Sequence, residues 1–100
     1  MSKNKFALRP EELEQVAMRF RALGEPMRLK ILQAVCKEPR TVNDIVTIVG
    51  ATQANVSKHL SLLAAAGILR RQKSGRRVFY GMKDQLALQM CELVHKHLVE

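Results

Sequence analysis

Residues 52–67 read TQANVSKHLSLLAAAG, and residues 68–82 continue ILRRQKSGRRVFYGM. The first stretch has the marks of a helix. Thr52 stands where an N-cap is wanted, Val56, Leu60 and Leu63 recur at helical spacing, and Gly67 supplies a stop. Its polar residues, Gln53, Asn55, Ser57, Lys58 and Ser61, fall mostly off the apolar stripe. The second stretch changes period. Ser74-Gly75 is a hairpin turn signal, and VFYGM after it has the β-branched and aromatic residues of a strand. A helix with a polar face, followed at once by a basic hairpin, decides the reading of everything around it.

Working toward the start, TVNDIVTIVG (41–50) predicts a short helix, with Thr41 and Asp44 in capping-box spacing and Gly50 at its end. Two short helices joined through Gly50-Ala51 describe a helix-turn-helix, and the hairpin makes it a winged one. EPMRLKILQAVCKEP (25–39) predicts a helix opened by Pro26 and closed by Pro39. Leu29, Leu32 and Cys36 form its stripe, with Ile31 and Val35 beside it, so Cys36 is expected as a small core residue. RPEELEQVAMRFRALG (9–24) predicts another, with Pro10 at the first position and Glu11, Glu12 and Glu14 at the positive end. Leu13, Val16, Ala17, Phe20 and Leu23 line one side of it. DQLALQMCELVHKHLVE (84–100) predicts a closing helix capped by Asp84. Leu86, Met90, Leu93 and His97 fill one stripe, and Ala87, Cys91, Val94 and Leu98 the next. So wide an apolar arc suits a helix that packs on its own domain and on a partner.

The expected fold is therefore mainly α with a small β-hairpin. It is a winged helix-turn-helix of five helices and a two-stranded wing, in the order four helices, two strands, one helix. The 100 residues make one domain, with 1–9 as an arm.

Composition bounds the function. No apolar run approaches the roughly 18 residues of a membrane span, and MSKNKFALRP lacks the apolar stretch of a secretory signal. Two widely spaced cysteines suggest neither a disulfide framework nor a zinc knuckle, so the cytoplasm is the expected compartment. The net charge is +8, and its placement is informative. From Ile45 to Lys83 there is no Asp or Glu, whereas seven of the seventeen Lys and Arg lie there. That is the footprint of a polyanion binder. A Walker loop, a dinucleotide fingerprint and an HExxH motif are all missing from the sequence, and Ser57 and His59 face different directions on one helix. An enzyme is not expected.

Duplex DNA needs cations for phosphates and side chains that reach base edges. Gln53, Asn55, Ser57 and Lys58 offer the latter near a helix N-terminus. Arg70, Arg71, Lys73, Arg76 and Arg77 offer charge on a hairpin with a thin tip. His59 borders the apolar stripe, where a structural histidine and a DNA contact are both open. The rival class is a winged helix used for protein interaction or RNA binding.

ALGEPMRLKIL (22–32), NVSKHLSLLAAAGIL (55–69) and GRRVFY (75–80) together resemble the ArsR/SmtB family of bacterial transcriptional repressors. The resemblance implies a homodimer with residues 10–23 and 84–100 forming its seam. It implies an imperfect palindromic operator in double-stranded DNA, read by QANVSKH (53–59) and flanked by the wing RRQKSGRR (70–77), and release by an inducer. It places Thr52 with the reading helix and Arg28 near the DNA backbone. Family members that sense zinc or another divalent transition metal through the last helix carry a ligand pattern that Asp84, His97 and Glu100 match in spacing. Leu86 stands where those sensors have a fourth ligand, and Asp84 and His97 could meet only across a dimer, being about 20 Å apart along one helix. A further subgroup senses oxidants or sulfur species by linking a cysteine of the second helix to one of the last, a redox alternative to the metal as inducer. Cys36 and Cys91 lie on those helices, away from the subgroup's usual positions.

Overall fold

A computed structural model describes residues 6–100; most of the arm expected over 1–9 lies outside them. Each helix begins where a side chain or a proline removes the cost of unpaired backbone N–H groups. Helix α1 (Pro10–Leu23) starts with proline. Glu12 reaches back to accept from the Arg9 backbone N–H at 2.8 Å. Helix α2 (Pro26–Val35) also starts with proline, and the Glu25 carboxylate accepts from the Arg28 N–H at 3.0 Å. Thr41 and Thr52 cap α3 (Val42–Val49) and α4 (Gln53–Ala65), each accepting from the third helical N–H at 3.2 Å. Asp84 caps α5 (Gln85–Val99), accepting from Leu86 N–H at 3.0 Å.

Between α4 and α5 run β2 (Leu69–Ser74) and β3 (Arg77–Met82), antiparallel, with Ser74 opposite Arg77. The two-residue turn is thus Gly75-Arg76, one residue later than the Ser74-Gly75 signal. Gly75 takes a positive φ of 63° and Arg76 does not. Glycine at the first central position is the II′ pattern, whose twist suits a hairpin. A third strand was not expected. β1 (Arg40–Thr41) pairs with β3, giving the order β1-β3-β2. Two residues carry no readable period. Gly81 permits the pairing, since a Cβ there would stand 3.0 Å from Pro39 Cγ.

The core lies where α2, α3, α4 and the base of the hairpin meet. Ile31, Leu32, Val35, Ile45, Val56, Leu60, Leu63, Ile68 and Leu69 are buried there, with Tyr80 and Ala87 closing it. Each such aliphatic contributes roughly 1.5–3 kcal/mol of transfer free energy. The stripe of α4 is buried as its spacing predicts. That of α2 is rotated toward Ile31 and Val35, leaving Leu29 at the surface. Cys36 is not in the core: α2 stops at Val35, and Cys36 is its half-buried C-cap. The early stop follows from Pro39, which disfavours helix just before it. Arg40 Nε then takes the freed Ala34 carbonyl at 2.9 Å.

Helices α1 and α5 bury little of their apolar residues. Only Ala22 and Leu23 of α1 and Ala87 of α5 are buried. Phe20 is 57% exposed, Leu93 70% and Leu98 73%. The two helices meet through an ion pair of Arg19 with Asp84.

Candidate nucleic-acid interface

Helix α4 divides cleanly. Val56, His59, Leu60 and Leu63 face the core, whereas Thr52, Gln53, Asn55, Lys58 and Ser61 are exposed and Ser57 is half-buried. The Thr52 hydroxyl is committed to the cap, so it is a weaker candidate for a base edge than Gln53 or Asn55 beside it. The remaining N–H groups of the first turn point out of the helix end, a favourable place for a phosphate oxygen.

α4 packs against β2, which leaves the protein body after one residue. Leu69 is buried, and everything from Arg70 through Arg77 is exposed. Arg70, Arg71, Lys73, Arg76 and Arg77 are therefore carried on a ladder whose fixed register spaces them. The Arg77 guanidinium lies over the Phe79 ring, 5.3 Å from its centroid, a cation–π contact that orders the side chain without neutralising it. The ion pairs among the described residues lie elsewhere: Arg9 with Glu11 and Glu12, Arg19 with Asp84, Arg21 with Glu14, Arg40 with Glu38, and Lys96 with Glu100. None of these ion pairs involves Arg70, Arg71, Lys73, Arg76 or Arg77.

Two of the candidate DNA residues lie partly or wholly inward in this structure. His59 is 9% exposed and belongs to the inner face of α4. Arg28 is half-buried, and its guanidinium is spread over the carbonyls of Ala22 and Arg21 and over His59. Phe79 and Arg19 were not singled out from sequence. The Arg77-x-Phe79 spacing on a strand does signal a same-face pair. Nothing local signals that Arg19 meets Asp84, sixty-five positions away.

The suggested metal ligands do not come together in one chain. Among the described residues there is no group of three or more His, Cys, Asp or Glu able to hold an ion. Asp84 is engaged by Arg19 and by the cap of α5, Glu100 lies 4.0 Å from Lys96, and His97 is exposed. With Leu86 in the fourth position, this donor set would offer three ligands and an open position rather than a closed tetrahedral site. The cysteines do share a surroundings. Cys36 and Cys91 both line a groove of about 820 Å³ between α2 and α5, with Leu29, Leu88 and His95. Both are free thiols. Burial pushes the Cys91 thiol above its ordinary range, which disfavours the nucleophilic thiolate.

Three kinds of similarity accompany this geometry. The bacterial regulatory protein arsR family is matched over residues 25–71, which spans α2 through the start of the wing. An uncharacterized HTH-type transcriptional regulator of Methanocaldococcus jannaschii is 33% identical over 85 residues, 84% of this chain and 96% of the relative. A cadmium resistance transcriptional regulatory protein CadC homolog of Staphylococcus aureus is 34% identical over 83 residues, 82% of this chain and 69% of the relative. Other relatives are longer: the chain spans 52% of a probable mercury resistance operon repressor of Streptomyces lividans. Among solved structures, the homodimeric winged helix-turn-helix DNA-binding domain Mb0332 of Mycobacterium bovis superposes with a TM-score of 0.83 at 26% identity, covering 100% of this chain and 92% of that one. With its helix-turn-helix, its acid-free basic wing and these relatives, the chain belongs to the ArsR/SmtB family of bacterial regulatory proteins, winged helix-turn-helix DNA-binding transcription regulators rather than enzymes.

Proposed function

We propose that this chain is a sequence-specific repressor that binds an imperfect palindrome in double-stranded DNA as a homodimer. One observation carries the reading most: a cation-rich wing with no acid in its own strands or turn, joined directly to a helix whose exposed N-terminal residues are Gln53, Asn55 and Lys58. Gln and Asn pair bidentately with adenine, Ser57 serves either partner, and the wing arginines suit phosphates or a narrow minor groove. The uncovered apolar sides of α1 and α5 support a second copy as partner. Among the described residues no helix is long and apolar enough to cross a membrane.

The test is binding of duplexes from the protein's own promoter region, followed by fluorescence anisotropy across a salt series. For a protein that neutralises six to ten phosphates, affinity falls about 10³–10⁵-fold between 50 and 200 mM salt. Absence of binding at low salt would leave a protein-interaction or RNA-binding module as the better account.

Release by an effector belongs to the same proposal, supported by a relative whose name concerns cadmium resistance. A divalent metal such as zinc would draw on Asp84 of one protomer with His97 and Glu100 of its partner, and would have to displace Arg19 from Asp84. Zinc added to the protein–duplex complex, with wild type beside His97→Ala, decides this. Loss of the metal response in the variant supports the site, and an unchanged response removes it.

A further inference from the structure

Arg28 stands in the first turn of α2 and reaches two other helices. Its Nε donates to the Ala22 carbonyl at 2.7 Å and its Nη2 to the Arg21 carbonyl at 2.9 Å. Both carbonyls belong to the last turn of α1, where the helix leaves acceptors unpaired and presents its negative end. On the other side, Nη1 lies 3.2 Å from His59 Nδ1 on the inner face of α4. An arginine has donors only. For this contact to be a hydrogen bond the histidine nitrogen has to accept, which requires the tautomer that carries its proton on Nε2. The backbone of Arg28 is pinned as well, by Glu25.

We propose that Arg28 is a positioning residue: through its guanidinium it holds α4, by way of His59, at a set angle to the end of α1, and this rather than a phosphate contact is its part in DNA binding. The proposal rests on the DNA-binding reading above and adds to it a coupling between an uncovered helix and the helix that enters the groove. Three of the five guanidinium N–H groups are spent within the protein. The geometry also requires a planar fork: an ammonium at this position is a single point and cannot serve acceptors on both sides.

The experiment has two arms. In the free protein, long-range ¹H–¹⁵N spectra should show His59 with Nε2 protonated and Nδ1 bare, and Arg28→Met should shift that signature. A proton on Nδ1 in the wild type would overturn the clamp, whatever the protein does with DNA. In the second arm, a promoter duplex bound by the wild type is compared with a random duplex. Arg28→Met and Arg28→Lys should each lose roughly tenfold for the promoter duplex, the order of one charge-assisted hydrogen bond. His59→Leu should lose as much, and Arg28→Met with His59→Leu no more than either alone. His59→Asn, which offers an amide oxygen near the Nδ1 position, should recover most of the loss. The random duplex and the salt slope should be unaffected. Retained affinity in Arg28→Lys, or a salt slope lower by about one in Arg28→Met, would mark a phosphate contact and refute the proposal. Where Arg28→Met melts early, the lysine and asparagine variants keep the comparison on folded protein. Failure of the wild type to bind any duplex would strike the functional reading, while the nitrogen spectrum still judges the clamp.

Discussion

At the scale of single residues, the same side chain type serves different ends according to what lies beside it. Arg77 sits over Phe79 with its charge free, whereas Arg28 has its guanidinium divided among internal acceptors. Substitutions should separate two further roles. Arg76→Ala and Arg77→Ala are expected to weaken promoter and random duplexes alike and to lower the salt slope by about one per residue. Gln53→Ala should cost about 1–3 kcal/mol on the promoter site and nearly nothing on random DNA. Competition anisotropy with both duplexes measures this, and equal losses from the two sets would undo the assignment. Cys91 gives a reactivity prediction. Burial raises its pKa, so less thiolate is present at pH 7.5 than in an unburied thiol. Its alkylation by iodoacetamide, followed by mass spectrometry, should run slower than that of a free cysteine peptide.

The sequence made the recognition-helix face legible because α4 obeys a strict period, and its three stripe residues are all fully buried. It left His59 open because a residue at the border of a stripe is placed by its neighbours. Here the neighbour is Arg28, thirty-one positions away. Asp84 shows the same limit. Its spacing to His97 suggested a ligand, and its partner Arg19 is set by packing that no local pattern encodes.

At the scale of elements, the helix caps were the readable parts, and the hairpin turn was legible to within one residue. Thr41, Thr52 and Asp84 each cap the helix that their position predicts. β1 was not readable, because it exists only through its pairing with Tyr80 and Phe79 on β3. The caps also carry a pH dependence. Glu12 is held below its ordinary range first by the Arg9 backbone N–H, and Glu25 first by that of Arg28. A carboxyl with a lowered folded pKa stabilises above its unfolded value and loses that contribution as pH falls through the folded one. Wild type should therefore melt above Glu25→Gln at neutral pH. The gap should close as pH drops below the usual glutamate value, and thermal melts across pH 3–7 follow it. In the core, Leu60→Ala is expected to cost about 2–5 kcal/mol by urea unfolding, since Leu60 is fully enclosed where α2 and α4 meet.

At the scale of the molecule, the chain is more extended than its length requires. Its radius of gyration is 15.4 Å, against about 13 Å for a compact domain of 100 residues. The excess is matched by apolar residues on α1 and α5 that their own chain does not cover. If a second copy covers them, Leu93→Asp should yield monomers by analytical ultracentrifugation without loss of helical circular dichroism. It should also weaken the palindromic duplex by more than tenfold, because two half-sites no longer act together. The melting temperature of the wild type should rise with protein concentration, and that of the variant should not.

One backbone oxygen links these scales. The Ile68 carbonyl, at the root of the hairpin, accepts from both Lys83 N–H at 3.0 Å and Asp84 N–H at 3.2 Å, the second belonging to the cap of α5. Wing and closing helix are thus tied at one oxygen, with only Lys83 and Asp84 between the end of β3 and the start of α5. If α5 turned at its root, the base of the arginine ladder would be the first part of the wing to feel it, and the hairpin tip, several residues out, would be displaced furthest.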